Sequence, residues 1–126
     1  MTAKYDTDKP IYLQIIERIR REIVRGDLKL GDKLPSVREM AIISEVNPNT
    51  IQRTYSEMER MEIVETKRGQ GTFVTENQEI LVQLKKDVES KLVESFVQNM
   101  REIGATETDM VASVQKFLLK GESKND

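Results

Sequence analysis

Apolar residues recur along this chain with a helical period, and they do so in blocks. In the first block Tyr12, Ile15, Ile16, Ile19 and Ile23 share one stripe, while Arg18, Arg20, Arg21 and Arg25 lie off it. Pro10 suits the first position of a helix, where its missing N–H is no loss, and Gly26 suits a C-terminal cap. Residues 27–35, DLKLGDKLP, predict a turn-rich connector whose leucines, Leu28, Leu30 and Leu34, pack under the domain. A short second helix follows. Ser36 and Glu39 have the spacing of a capping box, in which each side chain accepts from the other residue's backbone N–H. Val37, Met40, Ala41 and Ile43 supply its apolar contacts, and it must stop near Glu45. Asn47 and Pro48 then open a third helix as N-cap and first helical residue, with Ile51, Tyr55, Met58 and Met61 as its buried stripe. A connection of about three or four residues between helices two and three is the helix-turn-helix arrangement.

The period then changes. IVETK and TFVTE flank RGQG, which predicts a β-hairpin with Gly69 and Gly71 at its tip. A helix-turn-helix followed at once by a hairpin is the winged-helix plan. From Gln78 to Ile103 the residues Leu81, Leu84, Val88, Leu92, Phe96, Met100 and Ile103 recur every three or four positions, widened by Val93 and Val97. This spacing predicts one long amphipathic helix, ended by Gly104. Thr106 and Asp109 restart a shorter helix lined by Met110, Val111, Val114, Phe117 and Leu118 and closed by Gly121, with GESKND as a frayed tail. The expected fold is α+β and mainly helical. It has an N-terminal winged helix-turn-helix domain over 1–75 and a two-helix dimerisation or effector region over 76–126.

Composition narrows the chemistry. The chain has 126 residues, room for one ordinary domain or a small domain with an appendage. It contains no cysteine and no histidine. Disulfides, thiol nucleophiles and zinc–sulfur sites are thereby excluded, and the commonest general base and metal ligand are missing. Carboxylate or lysine chemistry stays open, but no glycine-rich phosphate loop or close carboxylate cluster accompanies it. A non-enzymatic protein without metal or cofactor is expected. No run approaches the roughly 20 apolar residues of a membrane span. The opening MTAKYDTDKP lacks the apolar core of a secretory leader, so the cytoplasm is the expected location.

Charge matters through its placement. The net charge is −2; residues 1–75 carry 13 Lys+Arg against 12 Asp+Glu, and residues 76–126 carry 7 against 10. Such a balance does not advertise a polyanionic partner. Yet no acid occurs between Glu45 and Glu57, a window that contains VNPNTIQR and opens the third helix. Its buried stripe leaves Asn49, Thr50, Gln52, Arg53 and Ser56 pointing outward, with Asn47 at the cap. Asparagine and glutamine can pair bidentately with adenine, and arginine with guanine, from a helix end inserted in the major groove. A carboxylate there would repel the phosphate backbone. Arg38, in the first turn of helix two, could grip a phosphate, and the hairpin tip Lys67, Arg68, Gly69, Gln70 and Gly71 offers two cations on a backbone that can approach closely. Each feature alone also fits a solvated face, a surface arginine or an ordinary loop. Their order along the chain is the specific signal.

LPSVREMA, VNPNTIQRTYSEME and IVETKRGQGTFV, preceded by PIYLQIIERIRREIVRGDLKLGDKLPS, resemble the winged-helix DNA-binding domain of the GntR family of bacterial transcription regulators. The resemblance covers about residues 10–75. NPNT, with only about 50 residues after the winged helix, is similar to the YtrA subfamily. It implies operator contacts from Arg38, from Asn49, Thr50, Gln52 and Arg53, and from Gly71. Two positions depart from the family pattern. Pro48 stands where many members have arginine, and Gln52 stands at a commonly basic position, so base preferences of relatives do not transfer. The family further implies a repressor that acts by occluding a promoter, with transporter genes among the expected targets.

The region after residue 75 is too short to enclose a metabolite pocket within one chain. Its apolar stripes are expected to meet the same stripes on a second subunit, through Leu84, Val88, Leu92, Phe96, Met100, Val114 and Phe117. The alternative is that these helices fold back on their own winged helix. The six methionines are expected as core fillers. The expected partners are double-stranded operator DNA and a second copy of the chain, with a small-molecule effector at the dimer interface left open. The rival from another class is a winged helix that docks proteins and never binds DNA.

Overall fold

The computed structural model describes residues 5–124. The first four residues, part of the stretch read above for a leader, and the last two, part of the expected tail, lie outside it. The elements run α1 (Ile11–Arg25), α2 (Val37–Ser44), α3 (Pro48–Arg60), β1 (Val64–Lys67), β2 (Gly71–Val74), α4 (Gln78–Glu102) and α5 (Glu107–Lys124). This is the expected mainly helical α+β architecture, with a winged helix-turn-helix followed by two helices.

The chain forms two compact units, Met1–Val88 and Glu89–Asp126. In the first, the isoleucine stripe of α1 is the centre of the core: Ile15, Ile16, Ile19 and Ile23 are all buried. Ile51, Tyr55 and Met58 of α3 join it, with Met40 and Ala41 of α2, Leu34 of the connector, and Val64 and Val74 of the hairpin. Each Ile, Leu, Val or Met side chain so withdrawn from water contributes roughly 1.5–3 kcal/mol. Most helix ends follow the sequence signals, although Pro10 is the N-cap of α1 and not its first residue. Ser36 Oγ accepts from Glu39 N–H, and the Glu39 carboxylate accepts from Ser36 N–H. Gly26 closes α1 in the left-handed region at φ 89°.

Several expectations are corrected by packing. Ile43 and Met61 are exposed, at 59% and 40%, and Thr54 takes the buried place on α3 instead. Thr54 tolerates full burial because its hydroxyl donates to the Thr50 carbonyl one turn back. Arg18, off the apolar stripe, donates to the buried Ser44 Oγ at 2.7 Å and so ties α1 to the end of α2. The connector is more ordered than a string of turns. Lys33 pairs with Phe73 as an antiparallel bridge, flanked by hydrogen bonds from Leu34 N–H to the Thr72 carbonyl and from Val74 N–H to the Asp32 carbonyl. Residues 32–34 thus line the hairpin as a third, very short edge.

The compact unit that holds the winged helix runs on past residue 75, to Val88. The first eleven residues of α4 belong to the compact winged-helix unit. Leu84 and Val88, expected at a dimer interface, are 4% and 8% exposed and lie in the core of their own winged helix. For that part of α4 the fold-back alternative holds, because burying Leu84 and Val88 in the core removes their apolar surface from water. In the second unit α4 turns at Gly104 (φ 79°), where Gly104 N–H and Ala105 N–H bond the Arg101 and Met100 carbonyls. Thr106 and Asp109 form the reciprocal cap that starts α5. Gly121 does not close α5, which continues to Lys124.

Candidate nucleic-acid interface

The turn between α2 and α3 is residues 45–47, and its geometry is set by backbone. Glu45 caps α2 in the left-handed region at φ 57°, a conformation a non-glycine residue adopts seldom. Asn47 Oδ1 accepts from Asn49 N–H at 2.8 Å, and Pro48 takes the first helical position. The Asn47 acceptor is therefore already engaged in capping. Tyr55 locks the other side of α3 by donating its hydroxyl to the Pro35 carbonyl at 2.7 Å, and burial pushes its phenol well above the ordinary range. These anchors fix which face of α3 looks outward.

That face holds Asn49, Gln52, Arg53 and Ser56, all exposed, with Thr50 half-buried at its margin. No acid lies in the first turn of α3. Asn49 N–H and Thr50 N–H are already bonded to Asn47 and Pro48 has none, so what favours an anion such as a phosphate at this end is the positive end of the helix dipole. Gln52 reaches towards Ser56 Oγ at 3.5 Å, a weak contact that leaves its amide largely available. Glu57, the first acid beyond the window, is engaged by Arg60.

Arg53 is not a free lever. Its guanidinium lies over the ring of Tyr12, 3.9 Å from the ring centroid, so it bridges α3 to the first turn of α1. Spacing alone places Tyr12 only on the apolar stripe. A half-buried tyrosine at the edge of a stripe, opposite a recognition-helix arginine, is a pairing no linear pattern reveals.

Arg38 is exposed in the first turn of α2, on the rim of an open depression shared with Ala41, Ile42, Glu45, Val46, Asn47 and Pro48. At the wing, β1 and β2 pair from Val64↔Val74 to Lys67↔Gly71, and Arg68, Gly69 and Gln70 form the exposed tip. Lys67 Nζ sits 4.8 Å from the centre of the Phe73 ring. Gly69 has φ 77°, as the tight turn requires. Gly71 has φ 127°, and a side chain there would come within 2.8 Å of Lys33 Cε. Glycine at 71 thus has an intramolecular reason besides any approach to DNA. Lys33, exposed beside it, is a cation that the sequence reading missed, because its pairing with Phe73 spans 40 residues of chain. Lys33 also helps to hold the Glu39 carboxyl low, after the larger effect of the Ser36 hydrogen bonds.

Among the described residues no group of three or more His, Cys, Asp and Glu could hold a metal ion. No described helix is long and apolar enough to cross a membrane. The remaining expected dimerisation residues fall in the second unit. Leu92, Val114 and Phe117 are exposed, at 52%, 43% and 75%, while Phe96 and Met100 are half-buried.

Known proteins share this order of elements. The family model described as bacterial regulatory proteins, gntR family, matches residues 11–74. The HTH-type transcriptional regulator YhcF of Bacillus subtilis is 54% identical over 117 residues, covering 93% of this chain and 97% of that one. The HTH-type transcriptional repressor YtrA of the same organism is 53% identical over 68 residues, covering 54% of this chain and 52% of that one. Among solved structures, a GntR family transcriptional regulator from Listeria monocytogenes superposes with a TM-score of 0.83 at 46% identity, covering 89% of this chain and 98% of that one.

Proposed function

This chain belongs to the gntR family of bacterial regulatory proteins and is a transcriptional regulator with a DNA-binding helix-turn-helix; on that premise we propose that it is a homodimeric repressor of an inverted-repeat operator. The observation that carries the reading is the outward face of α3, acid-free at its capped N-terminus and lined by Asn49, Gln52, Arg53 and Ser56. Arg38 and the wing cations Lys67 and Arg68 flank it as phosphate contacts, and Lys33 adds a fourth. Phosphate contacts set register and most of the affinity, while the α3 side chains choose the sequence.

Dimerisation rests on the second unit. Met110, Val114, Phe117 and Leu118 recur at helical spacing on α5, and of these only Met110 is buried in a single chain. A contiguous exposed apolar stripe of this kind marks an interaction surface, and a two-fold pairing covers it with its own copy. Repression is carried by the likeness to YtrA, which is named a repressor. Promoter occlusion needs nothing more than tight binding. Control of transporter genes and response to a small-molecule effector belong to the same proposal on the strength of the family resemblance.

Selection of bound sequences from a random duplex library with the purified protein tests this directly. Enrichment of an inverted repeat, its half-sites a whole number of turns of about 34–36 Å apart, is the expected result. Affinity for the winner should fall steeply with salt, by about 0.9 log units per log unit of salt for each phosphate neutralised. An enriched single half-site would overturn the two-fold reading. Absence of any enriched motif would overturn sequence-specific repression altogether. The positions of operator matches in the genome decide whether transporter genes are targets.

A further inference from the structure

We propose that Tyr12 of α1 is a positioning residue for DNA recognition: its ring is the platform that holds the Arg53 guanidinium in the plane from which it reads a base. The inference rests on Arg53 contacting DNA, and it adds a second helix to the recognition apparatus.

The geometry carries it in three steps. First, the guanidinium is placed 3.9 Å from the Tyr12 ring centroid, so the cation uses its face for the contact. Its N–H donors lie in the guanidinium plane and point away from that face, which leaves the bidentate edge free for guanine O6 and N7. Second, nothing competes for that edge from the same helix. Glu57, one turn further along α3, is bonded to Arg60, and Arg53 itself remains exposed. Third, the platform is rigid. Tyr12 is half-buried and packs against the core that contains Ile15, Ile16 and Ile51. An exposed arginine loses considerable rotamer freedom when it docks on a base. An arginine already laid on a packed ring has lost part of it beforehand, so the loss no longer weakens binding. Tyrosine serves because stacking needs the ring and not the hydroxyl.

The test uses the full chain and the operator recovered by selection, against a scrambled duplex of equal length. Tyr12→Phe keeps the ring and should match the unmodified protein. Tyr12→Leu removes it and should lower operator affinity by roughly 3- to 10-fold while leaving scrambled-duplex affinity unchanged. In an Arg53→Ala background, Tyr12→Leu should change operator affinity no further, since the two residues act as one unit. Full operator preference in Tyr12→Leu, or an equal loss in Tyr12→Phe, overturns the proposal. If Arg53→Ala leaves operator preference intact, base reading by Arg53 fails and this inference fails with it; if only Tyr12→Leu is silent, base reading by Arg53 stands alone. Should Tyr12→Leu not fold, NMR of the unmodified protein decides. The Arg53 side-chain protons should show a ring-current upfield shift that persists in the operator complex, and its disappearance on binding would refute the platform.

Discussion

Ile51 on α3 and Phe117 on α5 are both large apolar residues on amphipathic helices, yet the first is fully buried and the second is 75% exposed. The contrast holds for the units they belong to. The winged helix closes its own core and turns a polar, acid-free face outward. The second unit leaves Val111, Val114, Phe117, Leu118 and Leu119 of α5 uncovered. The proposed two-fold repressor would need both kinds of surface: one polar, to exchange water for phosphates and base edges, and one apolar, for a second copy to cover. α4 shows how sharply they divide, since Leu84 and Val88 serve the first core while Leu92, one turn on, is exposed.

The comparison can be broken most severely at Ile51. Ile51→Ala removes a fully buried side chain beneath the recognition helix and should cost roughly 2–5 kcal/mol in denaturant unfolding. A loss well under that range would mean the core is not closed as described. At α5, Phe117→Asp with Leu118→Asp should produce a monomer by light scattering with its helical content retained. Operator affinity should then fall about 10²-fold, because the second half-site is no longer delivered at high effective concentration. A variant that stays dimeric would remove α5 from the interface. On the polar face, Arg53→Ala should cost roughly 1–3 kcal/mol of operator binding, and only for the correct sequence. Lys67→Ala should weaken all duplexes alike and lower the salt slope by about 1.

The smallest effect treats the two units equally. The Glu39 and Asp109 carboxyls are held below their ordinary values, each first by a backbone hydrogen bond, to Ser36 and Thr106 respectively. A carboxyl whose pKa is lowered by folding contributes stability above its unfolded pKa and loses it as pH falls through its folded pKa. Acidification through and below the ordinary carboxylate range should therefore loosen the starts of α2 and α5. Glu39→Gln and Asp109→Asn should each flatten that acid dependence in a pH series of unfolding curves. An unchanged acid limb would show that neither cap bond survives in solution.

Much of this molecule was legible in one dimension because its signals are local. Capping boxes, N-terminal proline, the left-handed glycines and the 3.6-residue period all act within one or two turns, so Ser36, Asn47, Pro48, Gly26 and Gly104 end or start helices where expected. The outward face of α3 followed from its stripe for the same reason, despite the exchange of Met61 for Thr54. The misses are long-range. Which side of α4 meets the winged-helix core, that Arg18 reaches Ser44, and that Lys33 lies across Gly71 depend on segments tens of residues apart.

By itself, then, the sequence determined the element order, the helix ends, the acid-free face and the absence of cysteine and histidine chemistry, because each depends on a residue and its near neighbours. Tertiary structure alone decided where the winged helix ends along α4, which apolar side chains stay exposed, and that Arg53 rests on Tyr12. Those outcomes depend on which surfaces the chain brings together in space, and a cation laid on an aromatic ring 41 positions away leaves no trace in spacing or composition.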